Sequence, residues 1–224
     1  MKSLVLLLAC LSVASSILNA QSKWGIEVKG SRFNTTNSGQ LKGGSYGIGS
    51  YTILEEEDLV TYSQSLGVVY RVNERNLLKL HLGTHQNGHV ISLISCSDVG
   101  CETYNDVHEV YQYFQIAFSY AYRIVNKRVM IPVEAGININ RLRNEAKLAS
   151  YPLNEYNFDY EISGGVDYRL DPELIIGLHG LFTGNINEYQ DSDVETGTFL
   201  PKSLGLEFSI MYEFGKATNT NQQN

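Results

Sequence analysis

Two adjoining stretches, residues 111–124 and 129–140, constrain this chain more than any other part of it. In the first, Phe114, Ile116, Phe118, Tyr120, Tyr122 and Ile124 fall on one parity, and Tyr113, Gln115, Ala117, Ser119, Ala121 and Arg123 on the other. After the polar turn VNKR the pattern resumes, with Val129, Ile131, Val133, Ala135, Ile137 and Ile139 set against Met130, Pro132, Glu134, Gly136, Asn138 and Asn140. A strict period of two argues strand and excludes an amphipathic helix. Each strand runs for about a dozen residues, where soluble strands average about five or six. A tilted strand of about nine to eleven residues crosses a bilayer. With one face almost wholly apolar and the other mixing small and charged groups, the apolar face is expected to meet lipid.

Residues 1–20 place Lys2 before an apolar run and end in small residues, which reads as a secretory signal cleaved between Ala20 and Gln21. Cys10 follows Leu-Leu-Ala, but lipidation there leaves a very short apolar segment, so it is read as part of the discarded leader. Removing Lys2 makes the mature chain one unit more acidic than the formal −7 of the whole. That balance speaks against a nucleic-acid partner, which needs clustered positive charge. Beyond the leader, no stretch approaches the 18 consecutive apolar residues of a transmembrane helix. An exported chain that enters lipid without such a helix must close its strands into a barrel, because lipid cannot satisfy an open sheet edge. Two cysteines survive cleavage, Cys96 and Cys101 in CSDVGC, and an oxidising compartment makes a local disulfide the expected state. His89 and His108 do not complete a zinc spacing with them.

In chain order, residues 24–32 form the first strand, with Trp24, Ile26 and Val28 opposite Glu27, Lys29 and Ser31. Residues 34–61 are polar and mostly loop, within which 46–53 alternate weakly enough for a hairpin arm standing above the membrane. Residues 62–72 and 77–85 alternate around a turn at 73–76, and 88–109 make a second long loop holding the cysteines. After the 111–140 hairpin comes a third loop, 143–154. Residues 156–170 and 174–183 then flank Asp171-Pro172, and a fourth, acidic loop at 185–199 precedes the closing strand 203–214. Residues 215–224 are a polar tail. The count is eight strands, in which three short turns alternate with four long loops. The expected fold is an all-β, eight-stranded antiparallel up-and-down transmembrane β-barrel over residues 21–214, with short periplasmic turns, longer extracellular loops and both termini periplasmic.

The inward parity collects Glu27, Lys29, Arg71, Lys79, Arg123, Glu134, Asp159, Glu161, Asp167, Arg169, Glu207 and Glu213, with His81, His85 and His179. Eight strands leave an interior that side chains fill, so these charges are expected to pair across a packed lumen. A narrow conduit or proton-linked site built on the same charges is the alternative. His81 and His85 stand roughly 13 Å apart along one strand, too far to share a metal ion. A soluble barrel with its apolar face inside has the same period. Here, however, bulky residues crowd one face while Gly, Ser and Ala populate the other, as a lipid-facing circumference requires. Trp24, Tyr62, Tyr156, Tyr168, Tyr212 and Phe214 lie near strand ends, where interfacial aromatic girdles belong.

The segments KWGIEVKGSRF, SLGVVYRVNERNLLKLHLG and LGLEFSIMYEF, with the leader ending at Ala20-Gln21, resemble the eight-stranded outer-membrane β-barrel domain family that includes OmpX-like and PorT-like proteins. The resemblance spans essentially the whole mature chain. It implies a Gram-negative outer-membrane protein, monomeric, in contact with membrane lipid and lipopolysaccharide. It also implies assembly by the barrel-assembly machinery, which reads a final aromatic strand; here ten residues follow Phe214. Family members serve as surface, adhesion or secretion-associated proteins. The expected function is therefore non-enzymatic, without a cofactor, with binding to an extracellular ligand or protein carried by the outer loops. A channel for small or hydrophobic compounds and a secretion-associated barrel are the alternatives. A lipid-modifying enzyme needs a nucleophile and base on the lipid side, whereas the strand histidines fall on the lumen side. Asp191, Asp193 and Glu195 in the fourth loop lack the turn and spacing of a calcium loop.

Overall fold

A computed structural model describes residues 23–37, 44–46, 49–126, 128–144, 154–187 and 200–214. Its strands are β1 (Trp24–Asn37), β2 (Gly44–Tyr46), β3 (Gly49–Glu57), β4 (Leu59–Arg71), β5 (Asn76–Ser97), β6 (Gly100–Asn126), β7 (Val129–Asn144), β8 (Tyr156–Arg169), β9 (Leu174–Asn185) and β10 (Pro201–Glu213). Eight of them close a ring. β1 pairs with β4 and β10, β4 with β5, and β6 through β10 follow in succession, while the β5–β6 ladder completes the circle. Every pairing is antiparallel. No helix among the described residues is long and apolar enough to cross a membrane. The closed ladder leaves the ring without an edge, which is the condition for strands to stand in lipid.

The outward parity is apolar and open to the surroundings on every strand of the ring. Val28, Leu66, Leu82, Phe118, Val133, Ile162, Leu178, Leu204 and Phe208 are all at least half exposed, while their neighbours in sequence turn inward. So continuous an apolar belt is a membrane surface. Short turns close one end. Asn73 Oδ1 accepts hydrogen bonds from the backbone N–H groups of Arg75 and Asn76, and Asp171 Oδ1 does the same for Glu173 and Leu174. These Asx turns explain why Asn and Asp open these two connections.

Inside the same end, Val69, Leu77, Ala121, Met130, Ile175 and Met211 form one buried apolar cluster. This plug stops the lumen at the turn end of the barrel. Of the expected loops, 145–153, 188–199 and the tail lie outside the described residues, as does the signal segment.

Two expected loops are strand instead. Residues 88–109 continue β5 and β6, with one register shift between Ile91 and Leu93, to a two-residue turn at Asp98-Val99, where Ser97 faces Gly100. Gly100, with φ 150°, takes a backbone value that favours glycine. Likewise, most of 34–61 belongs to β1, β2, β3 and β4. The hairpin at 46–53 is present, with β2 on β3 and β3 on the far part of β5 from Val90 to Cys96. The physical reason for the mismatch is environmental. Past the bilayer neither face of a sheet meets lipid, so the hydrophobic alternation that reports a spanning strand vanishes while the backbone ladder runs on.

A chain of this build extracts from membranes only with detergent, and unboiled it migrates on a denaturing gel at a different apparent mass from the boiled sample. Free solubility without a heat-dependent shift contradicts the outward apolar belt.

Candidate functional site

The interior holds a single web of charge that reaches both sides of the plug. Lys29 Nζ stands 3.0 Å from Glu134 Oε1 and 3.2 Å from Glu207 Oε1, and Lys79 Nζ stands 3.0 Å from Glu27 and 2.6 Å from Glu134. Glu134 thus bridges two ammonium groups and also accepts a 2.6 Å hydrogen bond from Ser119. His81 Nε2 lies 3.1 Å from Glu27. His179 continues the web, with Nε2 at 2.8 Å from Asp167 and Nδ1 at 3.2 Å from Glu207. Carboxylates only accept, so a ring bonded on both sides donates from both nitrogens.

Arg123, two residues nearer the turn end than Ala121 of the plug, carries the web past it, reaching Asp167 at 3.3 Å and Glu213 at 3.2 Å. On Glu213 it meets Arg71 and Arg169, each at 3.2 Å. Each of the eight ring strands supplies at least one member: Glu27 and Lys29 from β1, Arg71 from β4, Lys79 from β5, Arg123 from β6, Glu134 from β7, Asp167 from β8, His179 from β9 and Glu207 from β10. The structure therefore ties opposite walls together through side chains, beyond the ladder that ties neighbouring strands.

All twelve charged residues expected inside are inward, and ten belong to the web. Asp159 and Glu161 stand farther toward the open end and receive hydrogen bonds from asparagines instead, Asn140 Nδ2 at 2.6 Å and Asn138 Nδ2 at 3.1 Å. His85 sets its ring edge against Phe33, with centroids 5.7 Å apart. Between the web and this upper zone the free space is about 20 Å³, lined in part by Lys29, His81, His85, Glu134 and Glu207. That is room for about one water, not for a permeant solute.

Glycines make the web fit. A Cβ added at Gly67 meets the His81 ring at 2.2 Å, and one at Gly177 meets Asp167 Oδ1 at 2.4 Å and His179 Nε2 at 2.8 Å. Small inward residues in the sequence signal this only in retrospect, because which side chain lies over which glycine depends on register.

The expected aromatic girdle divides in two. Trp24, Tyr168, Tyr212 and Phe214 ring the turn end, where Trp24 packs on Tyr70 with centroids 4.8 Å apart and Tyr212 on Phe214 at 5.5 Å. Tyr62 and Tyr156 mark the other end, with the Arg141 guanidinium 5.8 Å over the Tyr156 ring. Tyr62 faces Arg32 across the β1–β4 ladder, which places the outer rim near Gln86 on β5 and Gln112 on β6.

Beyond that rim β5 and β6 run on for roughly ten residues, about 33 Å along the strand. Cys96 and Cys101 are register partners near the tip, with Cα atoms 4.0 Å apart and their sulfurs bonded. This projecting sheet has one sign of charge. No Lys or Arg occurs between Lys42 and Arg71 or between Lys79 and Arg123, whereas Glu55, Glu56, Glu57, Asp58, Asp98, Glu102, Asp106 and Glu109 all lie in it. Near the tip Tyr104 donates to Glu102 at 2.6 Å, and that carboxylate raises the phenol pKa above its ordinary value. The projection was hidden from sequence reasoning for the reason given above; its charge pattern is readable once the strands are known.

No protein-family model matches the chain, and no curated protein matches it in sequence. Solved structures match its fold. Neisserial surface protein A aligns with TM-score 0.54 at 13% identity, covering 86% of this chain and 98% of its own. The outer membrane protein OprG from Pseudomonas aeruginosa aligns with TM-score 0.51 at 12% identity, covering 85% and 96%. The chain is an eight-stranded closed β-barrel of the outer-membrane type.

Replacing Glu134 by Leu leaves Lys29 and Lys79 each short of a buried counter-charge, at an expected cost of about 3–5 kcal/mol. Denaturant unfolding in detergent measures it. Glu155→Ala breaks the exposed Arg141–Glu155 pair, 3.0 Å long, and costs under about 1 kcal/mol in the same assay. Gly177→Val drives a side chain into Asp167 and His179 and destabilises the barrel by at least as much as Glu134→Leu; an equal or higher unfolding midpoint than wild type contradicts the packing described.

Proposed function

We propose that this chain is a non-enzymatic outer-membrane surface protein in which a sealed barrel anchors a projecting β-sheet that carries binding outside the cell. The observation that carries this reading is the contrast between the two halves. The lumen is closed by ion pairs drawn from all eight ring strands, while β5 and β6 continue well past the outer girdle and are widened by β2 and β3. A wall bound across its interior suits an anchor. A long, disulfide-tipped sheet with a single sign of charge suits contact with something beyond the membrane. The surface location in the name of the Neisserial protein supports the same assignment.

In this reading residues 1–20 are a cleaved export signal, 21–214 the barrel with its projection, and 215–224 a periplasmic tail. The barrel is monomeric, is inserted by the assembly machinery and stands among lipopolysaccharide. The acidic projection favours a cationic face on its partner, since complementary potentials steer encounter.

An epitope inserted between Asp98 and Val99 is expected to bind antibody on intact cells. Labelling only after the outer membrane is permeabilised places the projection on the periplasmic side and overturns the orientation. In planar bilayers the purified barrel passes no steady single-channel current; a reproducible open conductance overturns the sealed lumen and favours a conduit.

A further inference from the structure

The outer part of the lumen holds a second polar group that the ion web does not absorb. It lies where β7, β8 and β9 meet. Asn140 faces Asn157 across the β7–β8 ladder, and Asp159 faces Asn185 across the β8–β9 ladder. All four are on the inward parity, so their side chains crowd one patch of wall, with directly opposed Cβ atoms about 5 Å apart. Asn157 is 0% exposed, and its Nδ2 donates to the Asn154 carbonyl at 3.2 Å while its Oδ1 has no hydrogen-bond partner. Neither amide atom of Asn185 has one. A buried amide oxygen left unbonded is costly, and native interiors rarely keep one without a water or an ion to serve it.

The chemistry of the donors selects the ion. What this patch offers is one carboxylate beside amide oxygens, with no His or Cys among its residues. Neutral and anionic oxygens without nitrogen or sulfur are the ligand set of a hard cation, and calcium accepts carboxylate, amide and backbone oxygens in flexible geometry. Among the described residues seven inward carboxylates face five Lys and Arg side chains and the doubly donating His179, which leaves a carboxylate in excess.

We propose that Asp159, oriented by the 2.6 Å hydrogen bond from Asn140 Nδ2, forms with the side-chain oxygens of Asn157 and Asn185 a site for a calcium-class divalent cation at the outer end of the lumen. With one carboxylate among neutral donors, its affinity falls in the range of weak extracellular sites, about 10⁻⁴–10⁻³ M. The site sits at the roots of the third and fourth outer connections. There Leu142 N–H donates to the Glu155 carbonyl at 2.9 Å, Ile186 N–H to the Phe158 carbonyl at 2.7 Å, and Phe158 N–H to Asn187 Oδ1 at 2.6 Å. A cation bound beside these contacts braces the outer ends of β7, β8 and β9.

The test is calorimetric titration of calcium chloride into the chelator-treated full chain folded in detergent, with folding of each variant checked by heat-dependent gel mobility. Wild type is expected to take up one calcium per chain, Asp159→Asn to bind at least tenfold more weakly, and Asn185→Ala, at a partly exposed strand end, to weaken binding without loss of the fold. A second control, Asp191→Asn with Asp193→Asn and Glu195→Gln, removes the fourth-loop acids and leaves the titration unchanged. Absence of binding in wild type overturns the proposal. So does calcium binding that survives Asp159→Asn and Asn185→Ala, or that disappears with the loop acids alone.

Discussion

A backbone amide in lipid has no water to turn to, and everything else in this structure depends on that. Each N–H and C=O of the spanning strands must be bonded to a neighbouring strand, so the sheet has to close. Closure at eight strands leaves a bore that side chains must fill. Because the outward parity is given over to lipid, the filling comes from residues that alternate with apolar ones, and in this chain those residues are charged. The ion web is thus the other side of the lipid belt.

The web is layered along the barrel axis. At the turn end three guanidinium groups share Glu213 beside the apolar plug, and Arg123 even lays a nitrogen 3.3 Å from Met211 sulfur. In the middle the ammonium groups of Lys29 and Lys79 alternate with Glu27, Glu134 and Glu207. Toward the open end amides replace cations as the partners of carboxylates. Hydroxyls end the series, where Thr35 lies 2.8 Å from Thr61 and 2.9 Å from Ser203. Charge pairing thus fills the turn end and the middle of the bore, and neutral polar groups take over toward its outer end.

What could be read from the sequence follows the same physics. Spanning strands were legible because lipid on one side and a polar bore on the other impose a period of two on residues such as 114–124. The side of each inward residue was legible for that reason, but its height and its partner were not. Asp159 and Asp167 share parity and residue type, yet one meets Asn140 and the other Arg123 and His179. Those partners come from other strands, and their level is set by register, which alternation does not encode. The projecting part of β5 and β6 was illegible for a different reason: with lipid on neither face, ladder hydrogen bonds persist where no pattern of hydrophobicity records them. The cysteine pair was the exception, because its spacing and its compartment speak without reference to lipid.

The one-signed charge of the projection has a further consequence, in how it meets its surroundings. Trypsin-like proteases cut after Lys or Arg, and from Lys79 to Arg123 the chain offers neither. The segment carrying the outermost structure of the molecule therefore contains no bond that such an enzyme recognises, and its first cleavable position on either side lies within the barrel wall.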